Sequence, residues 1–180
     1  LENLPTSKSP GPDRIPNKFY KVFAGKLAPI LATVFNHTRD HGMPPDMLQG
    51  IISVMHKKKD RDDPRNYRPI TLLNSDYKVL MRALTLRMNE AVVQFASPEQ
   101  NGFVPGSFIA ENTMLLNLVK AYVEEEDSEA MFLFADMEKA FDRASWQFMD
   151  AALGELGLGS FRPYFRLAYS ADNPPTRRVY

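Results

Sequence analysis

The sequence has 180 residues, of which 44% are hydrophobic and 24% are charged, and it contains no cysteine. This composition is ordinary for a globular chain of one-domain size, and the lack of cysteine excludes a disulfide framework and a cysteine-based zinc site. The 22 basic and 22 acidic residues cancel, so any surface that binds a polyanion must be local. No apolar run approaches the roughly 20 residues of a membrane span, and we expect no membrane partner.

The chain starts with a segment that is too rich in proline and glycine for regular structure. Residues 6–16, with the string Ser9-Pro10-Gly11-Pro12-Asp13, predict an ordered turn that leads into a helix, or a plain linker. Apolar residues at helical spacing then predict helices over residues 16–25 and 27–40. His37 and His41 lie four residues apart, but no carboxylate accompanies them, and we interpret them as surface or capping residues.

A charged run between two apolar segments predicts a β-hairpin. Residues 50–55 form the first strand candidate, and the segment that returns is Tyr67-Arg68-Pro69-Ile70-Thr71-Leu72-Leu73. The connection contains Lys57, Lys58, Lys59, Arg61 and Arg65, followed by Arg68, and three aspartates, Asp60, Asp62 and Asp63, dilute its positive charge. A charge run usually serves solvation, yet a basic hairpin also suits binding of phosphates.

Two further helices and a glycine-bearing loop follow the hairpin. Ser75 is the predicted cap of a helix that ends near Phe95, and Arg82 and Arg87 lie on its polar side. A loop over residues 97–107 has two glycines, at which the backbone can approach a ligand closely. A helix over residues 109–126 is predicted to bury one apolar face, formed by Leu115, Leu118, Val119, Tyr122 and Val123.

The apolar run Met131-Phe132-Leu133-Phe134 predicts a strand buried on both faces. Asp136 follows this run after Ala135, and a helix is predicted from Glu138 to Ala152. A strand of this kind would deliver one carboxylate to the edge of a sheet, where a divalent cation with oxygen ligands can bind. The simpler alternative is that Asp136 caps the helix.

Four strings, in this order, carry a resemblance to one family. They are the Ser9-to-Pro16 segment, the hairpin with its Asn66-Tyr67-Arg68-Pro69 turn into the second strand, the loop around Gln100-Asn101-Gly102-Phe103, and Phe134-Ala135-Asp136-Met137-Glu138-Lys139-Ala140-Phe141-Asp142-Arg143. Together they resemble the reverse transcriptases of non-LTR (LINE-type) retrotransposons. Two positions depart from the family pattern, since Arg14 replaces a glycine and Ser107 an arginine. If the family's glycine adopts a left-handed turn, then Arg14 has a strained backbone or the local path differs.

The resemblance implies an α+β fold of the right-hand polymerase type. In that fold residues 1–129 would form the fingers region, with an amino-terminal segment 1–15 and a basic hairpin 50–74. Residues 130–180 would form the first part of a palm with a short sheet. Periodicity alone indicates only a mixed domain with more helix than strand.

The resemblance also implies roles for individual residues. Asp136 would be a catalytic metal ligand, together with the backbone carbonyl of Met137. The incoming nucleotide would be bound by Lys58 and Arg68, by Lys139 and Ala140, and by Phe141, whose ring would crowd the sugar 2'-position. Gln100, Gly102 and Phe103 would lie along the template or primer.

The implied cofactor is Mg²⁺ or Mn²⁺, two ions in the complete enzyme, and the implied partners are an RNA template, a DNA primer, a dNTP and the remainder of the polymerase chain. The compartment would be intracellular, in the cytoplasm or nucleus. Two-metal chemistry needs at least two carboxylates, yet no Asp-Asp pair follows Asp136. We therefore expect the chain to end inside the palm and to be inactive alone, and the first and last residues also look like cut ends.

Two alternatives remain at the level of sequence. Haloacid-dehalogenase-like phosphatases also place an aspartate after a buried strand, but they need a second aspartate two residues later, where this chain has Glu138. The other alternative is a retrotransposon-derived relic that binds nucleic acid without catalysis. Salt-dependent binding to primer-template would distinguish retained recognition from a relic without that function.

Overall fold

The computed structural model describes residues 1–137, 140–169 and 177–179, and for Phe141, Asp142 and residues 177–179 it describes the backbone alone. Within these ranges the helices are α1 (Asn17–Val22), α2 (Ala24–His41), α3 (Ser75–Phe95), α4 (Ala110–Glu125), α5 (Ala140–Arg143), α6 (Trp146–Glu155) and α7 (Arg162–Tyr169). The strands are β1 (Gly50–His56), β2 (Tyr67–Leu73) and β3 (Arg177–Val179), and short 3-10 turns cover Pro45–Leu48, Pro64–Asn66 and Gly159–Phe161. None of these helices is long and apolar enough to cross a bilayer.

The chain divides into two compact units, one formed by Leu1–Leu84 with Asp150–Tyr180 and the other by Thr85–Met149. The first unit contains a three-stranded sheet in the order β2-β1-β3. β1 and β2 pair antiparallel from Gly50 opposite Leu73 to His56 opposite Tyr67, which confirms the predicted hairpin. β3 pairs parallel with the start of β1.

The core of the first unit lies between α2, α3, α7 and the 3-10 turn before β1. Met43, Met47, Leu48 and Leu80 are buried together, and Phe35, Tyr77, Met81, Leu84 and Leu167 pack against them. The predicted apolar face of α3 is therefore confirmed over its first half. α2 ends where Gly42 takes a positive φ of 85°, a conformation that glycine adopts without steric cost.

The prediction of a buried strand over residues 131–134 is wrong. Residues 129–137 have no regular structure, and Met131 and Leu133 are 94% and 89% exposed instead of buried in a strand. An apolar run favours burial but does not supply the neighbouring strands that would pair its N–H and C=O groups, and no described strand pairs with it.

The predicted inward face of α4 is also largely exposed, with Leu115 at 54% and Leu118 at 66%. Helical spacing identifies which residues share a face, but it does not say whether another element covers that face. In the second unit, Leu115 and Val119 line a shallow cleft of about 330 Å³ together with Phe132 and Phe134. This cleft is the part of the predicted packing that the structure retains.

Mixed helices with a small sheet make the chain an α+β protein, as predicted. The helix and hairpin bounds agree with the predicted ranges to within one or two residues for α3 and the β1–β2 hairpin. The assignment of residues 1–129 to fingers and 130–180 to palm stays a prediction.

Candidate functional site

The charged loop, residues 57–66, joins β1 to β2 and has a defined backbone. The Lys57 amide donates to the Asn66 carbonyl at 2.8 Å, which extends the pairing of the two strands by one step. Lys59 has a φ of +69°, the left-handed conformation that turns the chain at the tip. A 3-10 turn at Pro64–Asn66 then returns the backbone to β2.

Three side chains at the loop end of the hairpin contact three successive carbonyls of the charged loop. His56 Nε2 lies 3.1 Å from the carbonyl oxygen of Lys59, and because a carbonyl only accepts, this ring nitrogen donates. Asn66 Nδ2 donates to the carbonyl of Asp60 at 2.8 Å. The Tyr67 hydroxyl donates to the carbonyl of Arg61 at 2.9 Å. The loop backbone is thus fixed to the strand ends by side chains of its own flanking residues.

The cations of the charged loop differ in their ion pairing. Arg65 binds the Asp63 carboxylate through Nε at 3.0 Å and through Nη2 at 3.0 Å. Hydrogen bonds from the side chain and the amide of Arg65 hold the pKa of Asp63 below its usual value. Within the described ranges, Lys57, Lys58, Lys59 and Arg61 have no carboxylate within ion-pair distance, and all four are exposed.

Arg68 lies on β2 opposite Met55, and its side chain is exposed. Lys58 lies in the charged loop, two residues beyond the last residue of β1. The two cations predicted to bind a triphosphate therefore belong to one hairpin and are both free to meet an anion from solvent. A free guanidinium and a free ammonium are suitable donors for phosphate oxygens.

The amino-terminal segment is docked on the junction between β2 and α3. Asn74 accepts from the Asp13 amide through Oδ1 at 3.2 Å and donates through Nδ2 to the Asp46 carbonyl at 2.8 Å. The Ser75 hydroxyl is fully buried and donates to the Ile15 carbonyl at 3.0 Å. The linker alternative is therefore wrong, and so is the prediction that Ser75 caps α3, because its hydroxyl serves the docked segment instead.

Arg14 takes a φ of +58°, and its amide donates to the Gly11 carbonyl at 3.0 Å. A left-handed conformation is unfavourable for a residue with a side chain. Of the two outcomes predicted for the replacement of the family's glycine by Arg14, the strained backbone is therefore the one observed.

A basic cleft of about 690 Å³ lies beneath this segment. Lys8, Lys78 and Arg82 are among its ten lining residues, and none of the ten is acidic. The Lys78 ammonium donates to the Ser9 carbonyl at 3.3 Å, and partial burial lowers the pKa of Lys78. Close by, burial and then the charges of Asp76 and Asp13 raise the pKa of Tyr20 to about 12. Arg82, on the predicted polar side of α3, therefore lines a cleft that has two lysines and no carboxylate among its lining residues.

Asp136 lies in the irregular segment 129–137 of the second unit and is exposed, as is Met137. The expectation that a sheet edge would hold this carboxylate is therefore wrong in this structure, for the reason given above for residues 131–134. Ala140 is the first residue of α5, and Phe141 is the second. Lys139 and Glu138 lie outside the described residues, and so does the side chain of Phe141.

The loop over residues 97–107 contains the remaining predicted residues. Gln100 Nε2 donates to the Gly102 carbonyl at 2.9 Å, which closes a local turn. Phe103 has a φ of +63° and is 96% exposed. Asn101 is buried and donates through Nδ2 to Asn112 Oδ1 at 2.6 Å, which ties the loop to α4. The loop presents an aromatic ring to solvent, and its predicted role at the template is untested.

A metal centre needs several oxygen or nitrogen ligands in one place. The carboxylate of Asp136 and the carbonyl of Met137 are oxygens of the kind that Mg²⁺ prefers. Over the described ranges, no three side chains of His, Cys, Asp or Glu form a group that could hold a metal ion. Residues of this part of the chain therefore supply at most a portion of such a site.

The described chain has an α+β fold, a cationic β1–β2 hairpin in its first unit and an exposed Asp136 in its second. Residues 56–179 match the sequence model of the reverse transcriptase (RNA-dependent DNA polymerase) family. The chain belongs to this family, whose members are RNA-directed DNA polymerases.

The relatives identify the kind of reverse transcriptase. The chain is 32% identical over 92% of its length to a "Transposon TX1 uncharacterized 149 kDa protein" of Xenopus laevis. It is 34% identical over 76% of its length to a "Probable RNA-directed DNA polymerase from transposon X-element", and 31% identical over 79% to one from transposon BS, both of Drosophila melanogaster. These alignments cover 12% of the first protein and 16% of each of the others. The predicted resemblance to non-LTR retrotransposon polymerases is confirmed.

Sequence reasoning missed the residues that shape the site rather than carry its charge. His56, Asn66 and Tyr67 were noted only as parts of the hairpin, and Asn74 only as the last residue of the hairpin range 50–74. A signal was present for the first group, since polar side chains flank both ends of the charged loop. No such signal exists for Asn74, whose contacts are made with residues 61 and 28 positions away.

Proposed function

We propose that this chain is the nucleotide-binding and template-binding part of an RNA-directed DNA polymerase that copies retrotransposon RNA by two-metal nucleotidyl transfer. The observation that carries the proposal is the family match over residues 56–179, which includes the charged loop and Asp136. The proposed partners are an RNA template, a DNA primer, a dNTP and the remainder of the polymerase chain, in the cytoplasm or nucleus.

In this proposal the β1–β2 hairpin binds the triphosphate of the incoming nucleotide. Lys58 and Arg68 meet its phosphate oxygens, and their lack of ion pairs among the described residues supports this role. A cation that is free of carboxylates does not have to break a salt bridge before it binds phosphate. Arg68 can bind two oxygens at once, whereas Lys58 acts as a point charge.

Asp136 and the Met137 carbonyl would hold part of the metal centre, with Mg²⁺ or Mn²⁺ as the ion. When bound, two such ions activate the primer hydroxyl and neutralise the charge that develops on the phosphates. The further carboxylates would come from the remainder of the polymerase chain, because no Asp-Asp pair follows Asp136 in the sequence. We therefore propose that the 180 residues bind substrates but do not polymerise alone.

Primer extension tests this proposal. The chain with Mg²⁺, dNTPs and a primed RNA template should give no product, and a clear product ladder would refute the proposed dependence on further residues. In the complete polymerase, Asp136→Asn should abolish extension while binding of primer-template changes by less than about twofold. Glu129→Gln, a matched change at an exposed carboxylate of the same segment, should leave extension intact.

Binding of nucleic acid by the chain can be measured separately. Affinity for primer-template should fall steeply as salt rises, because each neutralised phosphate releases counterions. The charged loop and the basic cleft offer local cations in a chain of zero net charge. Affinity that is absent at every salt concentration would instead favour a relic that does not bind nucleic acid.

A further inference from the structure

The proposed function gives Lys58 and Arg68 a role but leaves open what fixes the shape of the loop between them. The charged loop has five cations against the carboxylates of Asp60, Asp62 and Asp63, so it keeps a net positive charge, and charge repulsion favours an extended shape. Instead, three successive carbonyls, those of Lys59, Asp60 and Arg61, each accept a hydrogen bond from a side chain at the loop end of the hairpin. We call this set of contacts, made by His56, Asn66 and Tyr67, the carbonyl brace.

The brace has features of a rigid support. His56 and Tyr67 are paired residues of β1 and β2, and their rings meet edge to face with centroids 5.3 Å apart. All three side chains are partly buried, while the lysines that they support are exposed. Asn66 also accepts the Lys57 amide through its own carbonyl at 2.8 Å, so it fixes both sides of the loop.

The contacts also restrict the loop backbone. Each bond fixes the position of one loop carbonyl, and Lys59 has a left-handed φ of +69°. An unbraced loop would have to be ordered when an anion binds, at a cost in backbone conformational entropy. The backbone of the braced loop is already ordered in the folded protein, before any anion binds.

We propose that His56, Asn66 and Tyr67 are positioning residues, which hold residues 59–61 in one shape so that the cations of the charged loop, Lys58 above all, are presented to the phosphates of the incoming nucleotide. This inference rests on the proposed function. The brace acts through the backbone, so its members need not touch the nucleotide. Their loss should weaken nucleotide binding and leave the chemical step unchanged.

Limited trypsin digestion of the chain tests the brace without any need for activity. Tyr67→Phe keeps the ring against His56 and removes only the hydroxyl that bonds the Arg61 carbonyl. We expect trypsin cleavage after Lys57, Lys58, Lys59 and Arg61 to become about fivefold faster. This factor corresponds to about 1 kcal/mol for the loss of one hydrogen bond. Tyr122→Phe, the same change at an exposed tyrosine of α4, should leave the cleavage rate as it is.

A second pair of variants separates loss of the bond from loss of the fold. His56→Gln retains an N–H donor and should keep the slow rate, whereas His56→Ala should accelerate cleavage like Tyr67→Phe. Far-UV circular dichroism of each variant reports whether the chain remains folded. Unchanged cleavage in both Tyr67→Phe and His56→Ala would overturn the brace.

Steady-state kinetics of the complete polymerase test the positioning role. Tyr67→Phe should raise the KM for dNTP several-fold with kcat at saturating dNTP within about twofold. Faster trypsin cleavage with an unchanged KM would overturn the positioning role although the brace exists. Lys58→Ala and Arg68→Ala test the underlying function separately: if neither raises the KM for dNTP, the hairpin is not the nucleotide site, whatever the brace does.

Discussion

Gly11 lies so close to Asn74 that no larger residue has room there. A β-carbon at position 11 would come within 2.5 Å of the carbonyl carbon of Leu73, and closer still to Asn74. The nearest of these atoms is the side-chain oxygen Asn74 Oδ1. The other two, the Asn74 nitrogen and the Leu73 carbonyl carbon, are backbone atoms of the β2–α3 junction, which cannot move without disturbing the sheet. The glycine therefore permits the amino-terminal segment to dock where Asn74 and Ser75 can bond it.

Replacing this glycine should undock the segment. In Gly11→Ala the Asn74 side chain should lose its hydrogen bond from the Asp13 amide, and the buried Ser75 hydroxyl should lose its bond to the Ile15 carbonyl. We expect a loss of about 2 to 4 kcal/mol in the free energy of unfolding, since each stranded buried polar group costs about 1 to 3 kcal/mol. Urea denaturation measures this value. Gly25→Ala, at a position in α2 where a β-carbon meets nothing within 4 Å, should show no loss.

The left-handed backbone of Arg14 predicts the opposite effect at a nearby position. Arg14→Gly should raise the free energy of unfolding by up to about 1 kcal/mol. A non-glycine residue at this φ costs about 1 to 2 kcal/mol, and the greater conformational entropy of glycine in the unfolded chain offsets part of the strain that is relieved. Arg14→Ala removes the same side chain but keeps the strain, and should give no gain. Equal stabilisation by both variants in urea denaturation would point to the side chain instead of the backbone.

Asp150 joins α6 to α7 through two arginines. Its carboxylate accepts from Arg162 at 3.2 and 2.6 Å and from Arg166 at 3.0 and 2.8 Å. Hydrogen bonds from Arg162, and then from Arg166, hold the pKa of Asp150 well below its ordinary value of 3.8. A depressed folded-state pKa stabilises the protein at pH values above 3.8 and loses this effect as the pH falls through the folded-state value.

The low pKa of Asp150 can be tested by comparing how the stability of the parent protein and of an Asp150 variant depends on pH. Asp150→Asn should lower the free energy of unfolding near neutral pH, and the gap to the parent protein should shrink below about pH 4. Thermal denaturation followed from pH 7 to pH 2 gives both curves. A gap that stays constant over this range would show that the carboxylate's charge contributes nothing at this helix pair.

Phe141 is proposed to exclude the sugar 2'-hydroxyl. In the complete polymerase, Phe141→Val should therefore admit ribonucleotides, and the ratio of kcat/KM for dNTP over rNTP should fall by at least tenfold, or about 1.4 kcal/mol. Phe148→Val, on the exposed side of α6, is a matched control that should keep the ratio. Unchanged sugar discrimination in Phe141→Val would remove this residue from the proposed site.

Local rules accounted for the elements whose partners are close in sequence. The bounds of α3 and of the β1–β2 hairpin follow from apolar periodicity and from the charged run between the strands, because these signals act within a few residues. The strained backbone of Arg14 was likewise foreseeable from one missing glycine. The same rules were wrong for residues 131–134 and for α4, where burial depends on elements that lie elsewhere in the chain.

By itself, the sequence determined the family, the α+β class and the identity of the cations and of the aspartate proposed to act in catalysis, because ordered motifs and short-range periodicity are properties of the residues alone. Only the tertiary structure decided that Asn74 and Ser75 bind the amino-terminal segment and that His56, Asn66 and Tyr67 bind the loop carbonyls. Such contacts depend on where the folded backbone places each donor and acceptor. The sequence shows polar residues on both sides of the charged loop, but it does not show which groups they contact.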